Sequence, residues 1–375
     1  MKNLVLSGHA RMLRVAGLFL TVSVLLTVAD AATIKTIAST VPANGDVNPY
    51  GMAVVPVTTG SLMKGNILIS NFNNSNNLQG TGTTIVQISP AGTVSLFAQI
   101  DGNHLPGPCP GGIGLTTALV ALKSGWVVVG SLPTTDGTSA TAQAGCLLVL
   151  DSHGNVAETF FGSLINGPWD MTAADGGNNV SLFVANVLNG TIAAGGNVVH
   201  QGTVLRLNLK IAQGSMPSLQ SMTLVGSGFA EKSDPAALVI GPTGVYLTHS
   251  GDSDSEGDDD GVTLYVADSV NNRIAAIPHA LRRTASAGTG ITISKGGALN
   301  DPLGLTVTPD GNIITVNGND GFAVVTTPFG KQISKVLLDS SGNPPGAGAL
   351  FGVALVPGTG LYYVDDATNT MNLFH

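Results

Sequence analysis

Apolar stretches rich in small residues recur along the chain, each followed by a second apolar stretch that runs into a polar turn. The first members of these pairs are 50-YGMAVVP-56, 117-TALVALK-123, 169-WDMTAAD-175, 236-AALVIGP-242, 303-LGLTVTP-309 and 351-FGVALVP-357. The second members are 67-ILISN-71, 127-VVVGS-131, 182-LFVAN-186, 264-LYVAD-268, 313-IITVN-317 and 362-YYVDD-366. Four of the first members follow a proline, at Pro49, Pro168, Pro235 and Pro302. β-branched residues bounded by Gly, Asn and Asp mark such stretches as strands. A third and usually a fourth strand complete each unit, for example 84-TIVQIS-89 and 94-VSLFAQI-100.

Six units therefore start near residues 48, 115, 167, 234, 301 and 350. Each is a small antiparallel sheet that cannot bury both faces alone, and a radial arrangement buries them against neighbours. The sixth unit ends one strand short at 370-TMNLFH-375, while the β-prone 33-TIKTIAST-40 lies ahead of the first. The expectation is an all-β six-bladed β-propeller with four-stranded antiparallel blades, the last closed by the N-terminal strand. It forms one domain over residues 32–375.

Composition agrees. Charged residues are 10% of the chain, and Gly, at 50 of 375 residues, has about twice its usual share. Tight turns between short strands need that mixture; long surface helices would need Glu, Lys and Arg. Residues 1–31 carry Lys2, Arg11 and Arg14, then the apolar run 15-VAGLFLTVSVLLTV-28 and the small-x-small site 29-ADA-31. This is the pattern of a secretory signal peptide, with a retained anchor as the alternative. The run falls short of the roughly 20 residues of a membrane-spanning helix. The mature chain is expected to have no membrane span and to be secreted or periplasmic. The net charge of −8 falls further when three basic residues leave with the leader, which argues against a nucleic-acid partner. In an exported chain, Cys109 and Cys146 are read as a disulfide rather than two buried thiols. Closing that loop contributes about 4 kcal/mol in the chain-entropy model.

The segments 301-DPLGLTVTPDGNIITVN-317 and 264-LYVADSVNNRIAAI-277 resemble NHL repeats, whose pattern joins a P-x-G strand to a V-x-D-x-x-N-x-R-I strand and turn. The resemblance is clear in units four and five, fair in one, three and six, and weak in two. It implies a propeller of the NHL/TolB-like type and, by itself, no activity. The recurring pairs Asn71/Asn74, Asn186/Asn189, Asp268/Asn271, Asn317/Asp320 and Asp366/Asn369, with Ser131/Thr134 in the second unit, have the chemistry of turn stabilisers. A residue repeated in every unit is read as structural.

Candidate chemistry lies at the axis. The positions nearest it are Gly51, Ala118, Asp170, Ala237, Gly304 and Gly352, so Asp170 alone brings a charge. It is either a hydrogen-bonded structural carboxylate or a group that meets a ligand or ion. Tyr50, Trp169 and Phe351 precede the axial positions and are candidates to line a ligand mouth. The acidic stretch 251-GDSDSEGDDDG-261 is a second candidate. There Asp252, Asp254, Glu256 and Asp258 resemble half of a calcium loop, although Thr263 stands where a bidentate Glu belongs and Asp259 where an apolar residue is usual. Calcium is thus the candidate cofactor, with a solvated acidic insertion as the alternative. The insertion falls between first and second strands, or on the opposite face if 245-VYLTHS-250 is itself the second strand.

Lactonase-type relatives use a channel Glu, but Glu158, Glu231 and Glu256 all lie off the innermost strands. The histidines form no HxH or HxxxH pair, and neither a GxSxG elbow nor a phosphate-binding loop occurs. The leading expectation is an exported, monomeric binding or scaffold module that recognises a protein, peptide or glycan. The alternative is a metal-dependent hydrolase or lyase with a divalent ion in the channel and Asp170 among its ligands.

Overall fold

The computed structural model describes residues 33–249 and 261–375. They form six antiparallel sheets arranged as the blades of a six-bladed β-propeller, with almost no helix. The innermost strands are Val47–Val54, Leu115–Ala121, Pro168–Asp175, Pro242–His249, Pro302–Val307 and Leu350–Val356. Ile34–Ser39 pairs with Thr370–Phe374 as the outer strand of the sixth blade, from Ile34 opposite Phe374 to Ser39 opposite Thr370. Thr33 and His375 exchange backbone hydrogen bonds of 2.8 and 3.1 Å at the end of that ladder. The ring is thus closed by strands from both ends of the described chain.

Alternation along each strand sends apolar side chains to both faces, so the hydrophobic core is divided among the blade interfaces. Leu68, Ile85 and Leu119, Val129 pack between blades one and two. Val128, Val149 and Leu182, Leu205 do so between two and three, and Phe183, Val225 and Val245, Val266 between three and four. Burial of apolar area between blades is the main stabilising term. Cys109 and Cys146 form a disulfide, Cα–Cα 5.1 Å, that ties the approach to blade two against the start of its third strand.

Near the axis the inner strands come within backbone contact. A Cβ added at Gly304 would collide with the carbonyl oxygen of Phe351, one at Gly352 with that of Tyr50, and one at Gly244 with that of Leu303. Each of the six inner strands also shifts register just there, as between Pro49 and Gly51, Pro168 and Met171, or Pro302 and Leu305. Such bulges bend a strand and increase its twist, which fits a strand turning past a crowded centre.

The fourth unit departs from the sequence reading. Its inner strand is Pro242–His249, and the axial residue is Gly244, not Ala237. Leu238–Ile240, which the apolar pattern marks as an inner strand, pairs instead with the end of the long Ser218–Asp234 strand, giving blade three a fifth strand. Its apolar side chains are buried because the segment covers the aromatic end of the axis. The acidic insertion still lies between first and second strands, Pro242–His249 and Val262–Asp268, but residues 250–260 are outside the described residues.

The strand-end polar residues hold turns. Asn186 and Asn317 accept hydrogen bonds from the backbone N–H groups of Asn166 (2.9 Å) and Asn300 (3.1 Å), on the way into the inner strand of the same blade. Ser131 accepts from Gly114 in the same way at 3.0 Å. Buried Asp268 receives Nε and Nη2 of Arg273, both at 2.8 Å, and the amide of Asn271 at 3.1 Å. In the sixth blade the equivalent residue is Asp365, not Asp366: Asp365 faces Leu350 and accepts from the Thr368 N–H at 3.2 Å.

The backbone contacts at the axis predict that Gly304→Ala lowers stability in denaturant unfolding by about 3 kcal/mol, the upper end for overpacking a tight site. Unchanged unfolding would mean that the inner strands can separate to admit a methyl group.

Candidate functional site

The axis has two unlike ends. At the end where the inner strands begin, Tyr50 stacks on Phe351 (ring centroids 3.9 Å apart) and on Phe72 (4.4 Å), with Trp169 tilted beside it at 6.3 Å. Tyr50, Trp169 and Phe351 are thus brought together as the sequence suggested. They form a packed floor, however, and not an open mouth, at 2, 2 and 0% exposure. The segment after Asp234 closes over them. Asp234 accepts hydrogen bonds from the N–H groups of Ala236 (2.8 Å) and Ala237 (3.1 Å), and the Tyr50 hydroxyl donates to the carbonyl of Ala236 at 3.3 Å. The Gln79 amide holds the carbonyl of Pro235 at 2.8 Å from the other side. At Leu238 the backbone takes a φ of 63°, strained for a branched side chain, and the N–H of Val239 reaches back to the carbonyl of Ala237 at 2.7 Å.

The opposite end is open. A cavity of about 370 Å³ occupies the channel there, and each blade contributes an apolar side chain to its wall: Met52, Leu119, Met171, Val245, Leu305 and Val353. Thr172 and Thr306 add hydroxyls, and Lys123 and Asp175 stand at the outer rim. The two rim residues are linked, the Lys123 N–H to the Asp175 carboxylate at 2.6 Å and its ammonium to the Asp175 carbonyl at 3.0 Å.

Asp170 is the single carboxyl group of the inner wall. At the matching glycines of blades four, five and six even a Cβ would strike the next strand, whereas Asp170 reaches across to blade four, where its Oδ2 accepts the Val245 N–H at 2.8 Å. Burial lifts its pKa to about 7, against the lowering effect of the N–H groups of Val245 and Met171. Those donors suit a carboxylate or a neutral acid, whereas a divalent ion needs several oxygen ligands converging on it. Among the described residues no group of three or more His, Cys, Asp or Glu side chains is placed to hold a metal ion. Among those residues Asp170 is the single carboxylate in the channel's inner wall, so a converging set of charged ligands for a divalent ion is not formed there. The calcium candidates Asp252, Asp254, Glu256 and Asp258 lie outside the described residues.

Three further acids were not read as candidate chemistry in the sequence: Asp301 was not singled out, Asp366 was read as a turn residue, and Glu231 was set aside as lying off the innermost strands. Burial lifts Asp301, Asp366 and Glu231 to about 7, with neighbouring Asp234 adding to the effect at Asp301 and Asp365 at Asp366. Asp301 directly precedes the inner strand of blade five, Asp366 follows the second strand of blade six, and Glu231 lies within the long Ser218–Asp234 strand of blade three.

No protein-family model matches the sequence, and neither does any curated protein. Solved structures resemble the fold. A gluconolactonase from Xanthomonas campestris shares 13% identity at a TM-score of 0.53, over 92% of this chain and 89% of its own. Virginiamycin B lyase from Staphylococcus aureus shares 12% at 0.52, over 92% and 99%. The calcium-binding protein regucalcin from Agrobacterium tumefaciens shares 13% at 0.54, over 90% and 93%. At this identity the likeness extends to the propeller architecture.

The raised pKa of Asp170 makes stability depend on pH. The native state keeps the proton while the unfolded chain has lost it, so stability falls as pH rises from about 4 to about 7 and is level above. A full displacement of this size corresponds to roughly 4 kcal/mol, and water in the channel screens part of it, leaving about 2 kcal/mol. Asp170→Asn, which keeps the oxygen facing Val245, is expected to be the more stable protein at pH 8 and to lose that advantage at pH 4. Thermal melting across pH checks this, and parallel profiles for the two proteins would contradict it.

Proposed function

We propose that this chain is an exported binding propeller that takes its ligand into the open end of the channel. The single observation that carries this reading is the channel itself: a cavity of about 370 Å³ that every blade helps to line, with apolar side chains, the hydroxyls of Thr172 and Thr306 and the carboxyl group of Asp170 in its wall. A concave pocket of this size in which a few placed polar groups stand among apolar side chains is a usual form of small-ligand site. The ligand part that enters is compact and apolar and presents a hydrogen-bond donor or an ammonium group to Asp170. It approaches past Lys123 and Asp175. The signal-peptide pattern at the N-terminus supports export to the periplasm or beyond.

A second reading, hydrolase or lyase, is favoured by Asp170. A carboxyl poised near pH 7 in a channel can hold or release a proton during a reaction. Gluconolactonase and virginiamycin B lyase carry such activities on similar folds. One pair of assays separates the readings. A library of small amines, peptides and sugars is screened by melting temperature against the mature protein and Asp170→Asn, and turnover of lactone and ester panels is followed with and without calcium, magnesium and zinc. The binding reading expects a stabilising ligand whose effect falls by about tenfold in affinity in Asp170→Asn. Turnover lost in that variant would replace it with the second reading; neither response would defeat both.

A further inference from the structure

A groove runs outward from the open end of the channel, between blades two and three. Its floor and sides come from four turns: 124–126 and 151–152 of blade two, and 178 and 211–215 of blade three. Lys123 and Asp175 at the channel rim directly precede two of these turns, so channel and groove share one face of the ring. The groove has a volume of about 500 Å³, within the usual range of roughly 300–1,000 Å³ for small-ligand sites.

The chain has two tryptophans, and they are placed oppositely. Trp169 is buried in the aromatic floor, whereas Trp126 is half-buried, with one side packed on the apolar layer between blades two and three and the remainder lining the groove. Gly125, at φ 85°, turns the chain so that the indole comes to the rim. Around it stand Ser124, Asn178, Gln213 and Ser215, all exposed. Among the described residues none of these side chains, nor the indole N–H, has a hydrogen-bond partner. Asp151 adds a carboxylate held in place by the N–H groups of His153 (2.8 Å) and Asn155 (3.0 Å). No Lys or Arg lines the groove.

The geometry points to a subsite for a neutral oligosaccharide: we infer that a pyranose ring stacks its C–H face on Trp126 while its hydroxyls exchange hydrogen bonds with Asn178, Gln213 and Asp151. Amide and hydroxyl side chains both donate and accept, as sugar hydroxyls do. An indole supplies a large flat surface that loses little conformational freedom on binding. Asp151 and the absence of basic side chains disfavour phosphorylated or acidic sugars. The inference rests on the groove's own lining and stands whether or not the channel is the ligand site proposed above.

The test is a titration of the mature protein with β-glucan, xylan, mannan and chitin tetrasaccharides, read by tryptophan emission, with melting temperatures of all variants measured alongside. At least one tetrasaccharide is expected to change the emission, with a Kd in the millimolar range or tighter. Trp126→Ala is expected to weaken binding, read by calorimetry, by about tenfold or more. Trp126→Phe, which keeps an aromatic face and the fold, should fall between the two, and Asn178→Ala with Gln213→Ala should weaken binding severalfold. Asp170→Asn should leave the affinity within about twofold, which separates the groove from the channel. Absence of any response at about 10 mM, or binding in Trp126→Ala equal to that of the unaltered protein, overturns the inference.

Discussion

Six strands meet at the centre of this protein with their backbones nearly touching, and that crowding sets the rest of the structure. It requires residues without bulk at one position per blade, met by Gly51, Ala118, Gly244, Gly304 and Gly352. It accompanies a bulge at the same point of every inner strand. It also explains why Asp170 stands out. A longer side chain at that position has one direction open to it, toward the neighbouring blade, and there it finds the N–H of Val245. A group so placed is partly withdrawn from water by the surrounding strands, and this desolvation raises its pKa.

Much of the fold was legible because the crowding leaves a mark in the sequence. A small residue two places after a proline opens three of the inner strands, as in Pro49-Tyr50-Gly51 and Pro302-Leu303-Gly304. The same mark, Pro242-Thr243-Gly244, identifies the fourth inner strand. The stretch 236-AALVIGP-242 obscured it, since an apolar run of small residues reads alike whether it lines an axis or roofs a core. That one ambiguity also hid the nature of the aromatic end: once residues 235–240 are a cover, Tyr50, Trp169 and Phe351 become its packing partners and lose their open side. Asp170 was legible as the exception to a repeated pattern. The groove beside Trp126 was not, because four turns from two blades make it and no linear spacing records their meeting.

The two faces therefore differ in kind. On one, aromatic stacking and the strap after Asp234 seal the axis, and the acids Asp301 and Asp366 are held in that sealed region. On the other, short turns leave the channel open, with apolar side chains from all six blades, the hydroxyls of Thr172 and Thr306, the Asp170 carboxyl and a Lys123–Asp175 link at the rim. Solved propellers with names as different as lactonase, lyase and calcium-binding protein share this architecture, so chemistry is set by which side chains fill the axis and the turns.

The pairing of Ile34–Ser39 with Thr370–Phe374 has a consequence for biogenesis. Of the strands that form the ring, the outermost of the sixth sheet is made first and its neighbour last, so during synthesis the early strand must wait, unpaired, for more than three hundred residues to follow. Until then the first and sixth sheets have no common seam, and the annulus remains a bent ribbon with two sticky edges. Closure of the circle thus waits on Thr370–Phe374, and until that strand arrives both edges are open to pairing with other chains.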